Sequence, residues 1–332
     1  MGVPADHEEP TMTAPTDSWM RPLGATKLQV SAVCAGGSPL GGMPLLYGYD
    51  VPRERGVATV RAVLDSPIRF IDTSNGYSDG ESERRIGEAL RRAGGLPEDV
   101  VVATKVDPRG RDYSAARVRA SVAESRERLG LDHLPLVHLH DPEQFDFEEI
   151  AGPGGAVEQL VALRDAGEIG AIGIAGGPVQ EMARYVELGV FDVLLVHNRW
   201  TLLDRSAGPL IAEAVRRGMG VLNAAVYGGG ILAAAPGTSA SYGYQAAAQE
   251  TLDRVDAMHL VCAEHGTDLA TAALHFSLRD PQVSSTVVGM SRPERVAATV
   301  EAAAVQLPDE LWVDLEALLP PERVWLDAPF DR

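Results

Sequence analysis

Val100-Val101-Val102-Ala103-Thr104-Lys105 is an apolar, β-branched run that stops at a cation. Beyond it, Arg117–Leu129 places Val118, Val122 and Leu129 along one face and arginines and glutamates on the rest, and Leu136-Val137-His138-Leu139-His140 resumes a largely apolar run. Short apolar runs of this kind read as strands buried on both faces, and the spacing between them is that of a helix with one buried stripe. Strand, covering helix, strand is the unit from which parallel sheets are built.

The same rhythm runs outward in both directions from about residue 26. Strands are expected at Leu28–Cys34, Ile68–Asp72, Val100–Lys105, Leu136–His140, Ala171–Ile174, Val193–Val196, Val221–Val226 and Ser285–Val288. Helices are expected at Arg53–Leu64, Glu83–Arg92, Arg117–Leu129, Val157–Asp165, Val179–Leu188, Ala207–Arg217, Gln245–Glu264 and Leu269–Arg279. Eight strands are what a closed parallel barrel requires, so the expected fold is a (β/α)8 TIM barrel, and a chain of 332 residues is a usual length for one as a single domain. That domain is placed at 21–332. Residues 1–20, rich in Asp, Glu, Pro and Thr and lacking a basic start or an apolar core, read as a disordered acidic tail and not as a signal peptide.

Composition narrows the function classes. A formal charge of -18 disfavours polyanions and anionic lipid surfaces, so neither nucleic acid nor membrane is an expected partner, and no apolar stretch is long enough to span a bilayer. Cys34 and Cys262 lie far apart in apolar surroundings, which fits small core residues of a reducing compartment and a cytoplasmic location. Only two lysines stand among the 29 Lys and Arg residues, and Lys105 is one of them. An ammonium at a strand end shifts a neighbour's proton affinity, whereas guanidinium stays charged and favours planar partners.

Lys105 has company at the same rim. Phe70-Ile71-Asp72-Thr73-Ser74-Asn75-Gly76-Tyr77 ends a strand in a carboxylate and presents a phenol in the following turn, and His140 ends the strand after Lys105. In a parallel barrel, strand ends and the turns that follow them open onto one face, where catalytic groups sit. The expected chemistry is proton transfer at Tyr77. Lys105 is expected to lower the phenol's pKa, Asp72 to hold the ammonium charged, and a neutral His140 to orient a substrate oxygen.

In the order and spacing of Asp72, Tyr77, Lys105 and His140 the chain resembles the aldo-keto reductases, nicotinamide-dependent (β/α)8-barrel oxidoreductases, over about residues 23–300. Ser38-Pro39-Leu40-Gly41-Gly42, His140-Asp141-Pro142, Trp200-Thr201-Leu202-Leu203-Asp204 and Tyr242-Gly243-Tyr244 are similar to the bacterial aldose, L-fucose and pyridoxal dehydrogenase branch. The resemblance implies NADP(H) or NAD(H), the former slightly favoured, and a small carbonyl or sugar substrate. It places the adenine end of the cofactor near Gly289, Ser291, Arg292 and Arg295, where Gly289 stands for a common lysine and Ala298-Thr299 for a Glu-Asn pair. Ala175-Gly176-Gly177 stands where the family often has a Ser-Asn pair for the nicotinamide amide. His197 or Asn198 is then left to bond that amide, although His197 equally serves as barrel filling. Tyr227 is placed to stack on the nicotinamide, and the Gly228-Gly229-Gly230 run either lets backbone approach the pyrophosphate, chiefly at Gly229, or simply makes a left-handed loop. Tyr47, Trp200 and Tyr242 are candidate walls for a sugar's CH faces, or ordinary packing.

Two other readings use the same residues. His138 and His140, two apart on a strand, face the same way and suggest a zinc pair of a barrel hydrolase. A barrel that binds cofactor as a redox sensor, with little turnover, is the other. The glycine-rich fingerprints of dinucleotide-binding and nucleotide-hydrolysing folds and the serine hydrolase elbow do not occur.

Overall fold

The structure is a computed structural model that describes residues 19–44 and 48–327. Eight parallel strands close into a barrel in the order β12-β3-β4-β5-β6-β7-β8-β9. They are β3 (Val33–Gly36), β4 (Phe70–Asp72), β5 (Val101–Val106), β6 (Leu134–His140), β7 (Ile169–Gly176), β8 (Val193–His197), β9 (Gly220–Ala224) and β12 (Ser285–Gly289). The outer layer carries α1 (Arg53–Leu64), α2 (Glu81–Arg92), α3 (Ala115–Leu129), α4 (Phe147–Ala151), α5 (Ala156–Asp165), α6 (Val179–Glu187), α7 (Gly208–Arg216), α8 (Gln249–Glu264), α9 (Leu269–Leu278), α10 (Pro293–Ala304) and α11 (Asp309–Glu316).

Alternation along each strand separates two cores. Val102, Val137, Ile172, Leu194 and Val221 point outward and pack with the helices, while Phe70, Ala103, Leu136, Val193 and Leu222 fill the barrel. The register pairs Asp72 with Ala103, Ala103 with Leu136, and Lys105 with His138. Inward positions therefore run from apolar filling at mid-barrel to Asp72, Lys105, His138 and His140 near the rim.

Three expected elements differ. The run expected as one strand, Leu28–Cys34, is two: β2 (Gln29–Ser31) pairs with β1 (Met20–Pro22) as an antiparallel hairpin, and β3 begins after Ala32. The Ser31 hydroxyl causes the break, donating to Val33 O at 2.6 Å and accepting from Arg69 N at 2.8 Å. The hairpin plugs the N-terminal mouth with Leu23. Gly24 makes this possible, since at φ +55° a Cβ there would stand 2.1 Å from Gly220 N. The second difference is at β9, which ends at Ala224 because Ala225 turns the chain at φ 54°. Finally, α8 starts at Gln249, because Gln245–Ala246 forms β11 and pairs with β10 (Ser241–Tyr242) across Gly243-Tyr244, both left-handed as a tight hairpin turn requires.

Trp19 is buried and Met20 opens β1, so these two residues of the segment read as a tail belong to the folded barrel; residues 1–18 lie outside the described residues, as does Tyr47. Among the described residues no helix is long and apolar enough to cross a membrane.

Candidate active site

The turn after β4 carries Tyr77 and is held from outside the barrel. Asn75 Nδ2 donates to Ser121 O (3.2 Å) and Glu124 Oε2 (3.1 Å), Arg117 Nη2 donates to Asn75 Oδ1 (3.2 Å), and Arg128 Nη1 donates to Asn75 O (3.0 Å). All four partners lie on α3, whose N-terminus is capped by Ser114 and whose end is the left-handed Gly130.

Lys105 Nζ, with a side chain 1% exposed, donates to Asp72 Oδ2 at 2.6 Å, Thr73 O at 2.7 Å and the Tyr77 hydroxyl at 3.2 Å. All three ammonium protons are used. Burial works against this charge, but Asp72 and Tyr77 outweigh it and the ammonium is held above its ordinary pKa. Tyr77 departs from the expectation. Burial pushes the phenol above its ordinary value, and the pull of Lys105 in the other direction is smaller. Taking the ammonium's donation on its oxygen, Tyr77 remains a phenol at neutral pH with its own proton free for the rim.

His140 packs edge-on against Tyr77, with ring centroids 5.6 Å apart. Its Nδ1 lies 2.6 Å from Asp107 Oδ1 and 3.1 Å from Ser74 Oγ, and the Tyr113 hydroxyl accepts from its backbone N–H at 2.9 Å while donating to Val106 O at 2.7 Å. The ring is therefore not an ordinary neutral histidine. Burial pulls its pKa down, but Asp107 and Asp141 outweigh that and leave it raised above 6.5. Neither Asp107 nor Ser74 is among the residues picked out from sequence. The signal was period two: Asp107 follows Lys105, and Ser74 follows Asp72, by two residues in extended chain, which returns a side chain to the same face.

Beside these four, Ala175, Gly176 and Gly177 offer no side-chain donor, and Glu143 occupies the space. Its Oε2 lies 2.8 Å from where a Cβ of Gly176 would stand and is buried without a partner, while Oε1 accepts from Gly177 N at 3.1 Å. Ligand-capable atoms of Asp141, Glu143 and His197 lie within 4.8 Å of one another. His197 ends β8, one residue beyond the expected strand; burial lowers its pKa to about 4, and its Nδ1 accepts from Asn198 Nδ2 at 3.2 Å.

The other expected positions divide. Arg295 lies on α10 with its guanidinium 5.2 Å over the Tyr227 ring, next to Gly228–Gly230, while Arg292 is exposed at the same helix start and Gly289 and Ser291 lead into it. Tyr227 lies beyond the end of β9, three residues after Ala224. Tyr242 is no pocket wall: it is 3% exposed, and its hydroxyl is bonded to Thr201 Oγ1 at 2.9 Å and to Asn198 O. Gly228, at φ +61°, is required beneath it, because a Cβ there would meet the ring at 2.6 Å. Trp200 also packs away from the rim, with Nε1 donating to Asp280 Oδ2 at 2.8 Å and its ring against Phe276. His138 is fully buried, and its ring lies over Gly173 with both nitrogens unpartnered. It does not join His140 in a metal-capable group; the group of that kind among the described residues is Asp141, Glu143 and His197.

The chain matches the Aldo/keto reductase family over residues 32–320. It belongs to that family. It is 33% identical to a D-threo-aldose 1-dehydrogenase of a Pseudomonas species, covering 80% of this chain and 88% of the relative. It is 32% identical to the pyridoxal 4-dehydrogenase of Microbacterium luteolum, covering 90% and 96%. The fold matches that of the aldo-keto reductase AKR11C1 from Bacillus halodurans in its holo form, with a TM-score of 0.73, 23% identity and coverage of 90% and 96%. This aldo-keto reductase is accordingly an oxidoreductase enzyme, and the zinc hydrolase reading gives way.

Proposed function

We propose that this enzyme is an NAD(P)-dependent oxidoreductase acting between the carbonyl and alcohol states of a sugar or another polar aldehyde or hemiacetal, with Tyr77 as the proton-handling group at the substrate oxygen. The observation that carries this reading is the buried Lys105 ammonium, which spends its three protons on Asp72, Thr73 and the oxygen of Tyr77. That arrangement leaves the phenol's own O–H as a donor at the rim, suited to a carbonyl oxygen that is gaining negative charge.

Residues present around the tetrad fit a nicotinamide cofactor. Glu143 Oε2 is a buried acceptor without a donor, which suits the amino group of a carboxamide, and His197 and Asn198 stand beside it. Gly229 and Gly230 present backbone with little side-chain cover, and Arg292 and Arg295 stand at the N-terminus of α10, where phosphate charge is favoured. When bound, such a cofactor supplies or accepts the hydride. Lys105 holds the phenol in place, Asp72 holds the ammonium, and His140 shares the substrate oxygen with Tyr77.

The substrate class is supported by the polar rim of Asp141, Glu143 and His197 and by the aldose and pyridoxal dehydrogenase relatives. The test is a fluorescence titration with NADPH and NADH, followed by turnover assays on aldoses, pyridoxal and simple ketones. Saturable binding and preference for the polar substrates are expected; no binding of either dinucleotide overturns the proposal.

A further inference from the structure

We propose that Asp107 is a positioning residue that keeps a proton on Nδ1 of His140, so that Nε2 is a base for hydroxyl substrates and, once protonated, an acid for carbonyls. The inference rests on the oxidoreductase reading above and assigns to the same site a second proton route beside Tyr77.

The hydrogen-bond inventory around Asp107 leads to this. Its Oδ2 accepts from Gly76 N at 2.6 Å and from the Ser74 hydroxyl, and its Oδ1 lies 2.6 Å from His140 Nδ1. Burial works against the carboxylate, but His140, Ser74 and Gly76 outweigh it and hold its pKa below the ordinary range. A carboxylate only accepts, so the short contact requires the proton to be on Nδ1. Nε2 makes no hydrogen bond among the described residues, and the carboxylate near it is Asp141, with Oδ1 at 3.8 Å. Neutral His140 thus shows a bare lone pair at Nε2. Asp107 and Asp141 face the ring as anions with Glu143 farther along the rim, Lys105 opposes them as a cation, and His138, His197 and Tyr77 complete the titratable surroundings.

Tyr77 turns its O–H to the rim because Lys105 donates to its oxygen. A substrate hydroxyl that accepts from Tyr77 must release its own proton elsewhere, and Nε2 is the free acceptor. In oxidation the O–H bond breaks with its proton passing to Nε2, the C–H pair leaves as hydride for the oxidised nicotinamide, and C=O forms. Run backwards, the imidazolium returns the proton while reduced nicotinamide returns the hydride. Oxidation through this route needs neutral His140 and rises with pH through its pKa; reduction needs the charged ring and falls over the same range.

Asp107→Asn gives a specific test. Gly76 N–H and the Ser74 hydroxyl would hold the amide oxygen, turning the amide NH2 toward Nδ1 and moving the imidazole proton to Nε2. Two-bond 15N NMR of His140, assigned by comparison with His140→Gln, reads the tautomer without turnover. The expected result at high pH is Nδ1–H in the wild type and Nε2–H in D107N. In rate measurements D107N should lose about tenfold or more in oxidation of a D-threo-aldose with NAD(P)+, and reduction of pyridoxal with NAD(P)H should lose its decline at rising pH. A wild-type Nε2–H tautomer, or a pH profile of reduction in D107N with the same shape as the wild type, overturns the proposal. The wild-type spectrum carries the test if the variant does not fold. Wild-type protein with Nδ1–H but no turnover in either direction sinks the oxidoreductase reading and the directional claim, and leaves only the tautomer standing.

Discussion

Tyr77 differs from a surface tyrosine in having a cation at its oxygen and little water around it, and the second effect is the larger. The phenol is therefore a donor, and its removal should be felt most in carbonyl reduction. Tyr77→Phe keeps the ring and its contact with His140 but loses the proton; kcat for reduction should fall by about 10²–10⁴ while dissociation constants for the reduced cofactors stay within a few-fold. Wild-type reduction rates in that variant would remove Tyr77 from the mechanism. Arg295 supports a second expectation at this scale. Its guanidinium sits over Tyr227 with no carboxylate partner among the described contacts, so it is free to meet a phosphate. Arg295→Ala should weaken NADPH binding about tenfold or more, the scale of a charge-assisted hydrogen bond, and NADH binding much less, as read by paired titrations. Equal losses would show that it meets no 2′-phosphate.

Among the elements, α3 does more than cover β5. Its Arg117 and Glu124 form a bidentate pair at 2.8 and 2.7 Å and together hold Asn75, two residues before Tyr77. Arg117, first, and Asn75 pull the Glu124 carboxyl down to about 2 from an ordinary 4.5, although partial burial opposes them. A carboxyl bound more tightly as its anion adds stability above its unfolded pKa and loses it as pH falls toward the folded value. Glu124→Gln should therefore cost about 1.5–3 kcal/mol near neutrality, and urea denaturation should show that gap closing between pH 4.5 and 2. A gap that persists at pH 2 would mean that charge is not its origin. Such cross-element ties were not legible in the sequence. The apolar period of α3 places Val118 and Val122 inward, but whether its polar face meets water or another loop depends on distant chain. The strands were legible where alternation and β-branching coincide, as in β5 and β6. Reading failed where one hydroxyl redirects backbone bonds, at Ser31, or where a left-handed residue ends a strand, at Ala225. The tetrad was legible because each member sits at or just past a strand end. Asp107 was missed because it lies beyond the apolar run, and Trp200 and Tyr242 were misplaced because an aromatic near the rim packs inward or outward according to neighbours that sequence does not name.

Across the whole molecule, the two mouths of the barrel have opposite character. The N-terminal mouth is stoppered by Leu23, Leu28 and Val30 of the hairpin. The C-terminal mouth is polar and crossed by the chain's last described residues: Asp327 Oδ2 accepts from Arg199 Nε at 2.7 Å and Val179 N at 2.9 Å, and Leu326 N donates to Asp204 Oδ2 at 2.8 Å. Asp327 thus occupies the N-terminus of α6 and clips the loops after β7 and β8 together, so the rim is shaped partly by a segment distant in sequence. Both lysines follow this polarity. Lys105 is sealed under the rim, and Lys27 is exposed in the hairpin turn at the opposite end. Acylation with a succinimidyl ester should accordingly modify the side chain of Lys27 and spare Lys105, as peptide mass mapping of the folded protein would show; an adduct at 105 would mean that the site opens to reagent. Among the lysines, an ester-activated bead would then couple only at the floor of the barrel, and that linkage leaves the working end facing the solution.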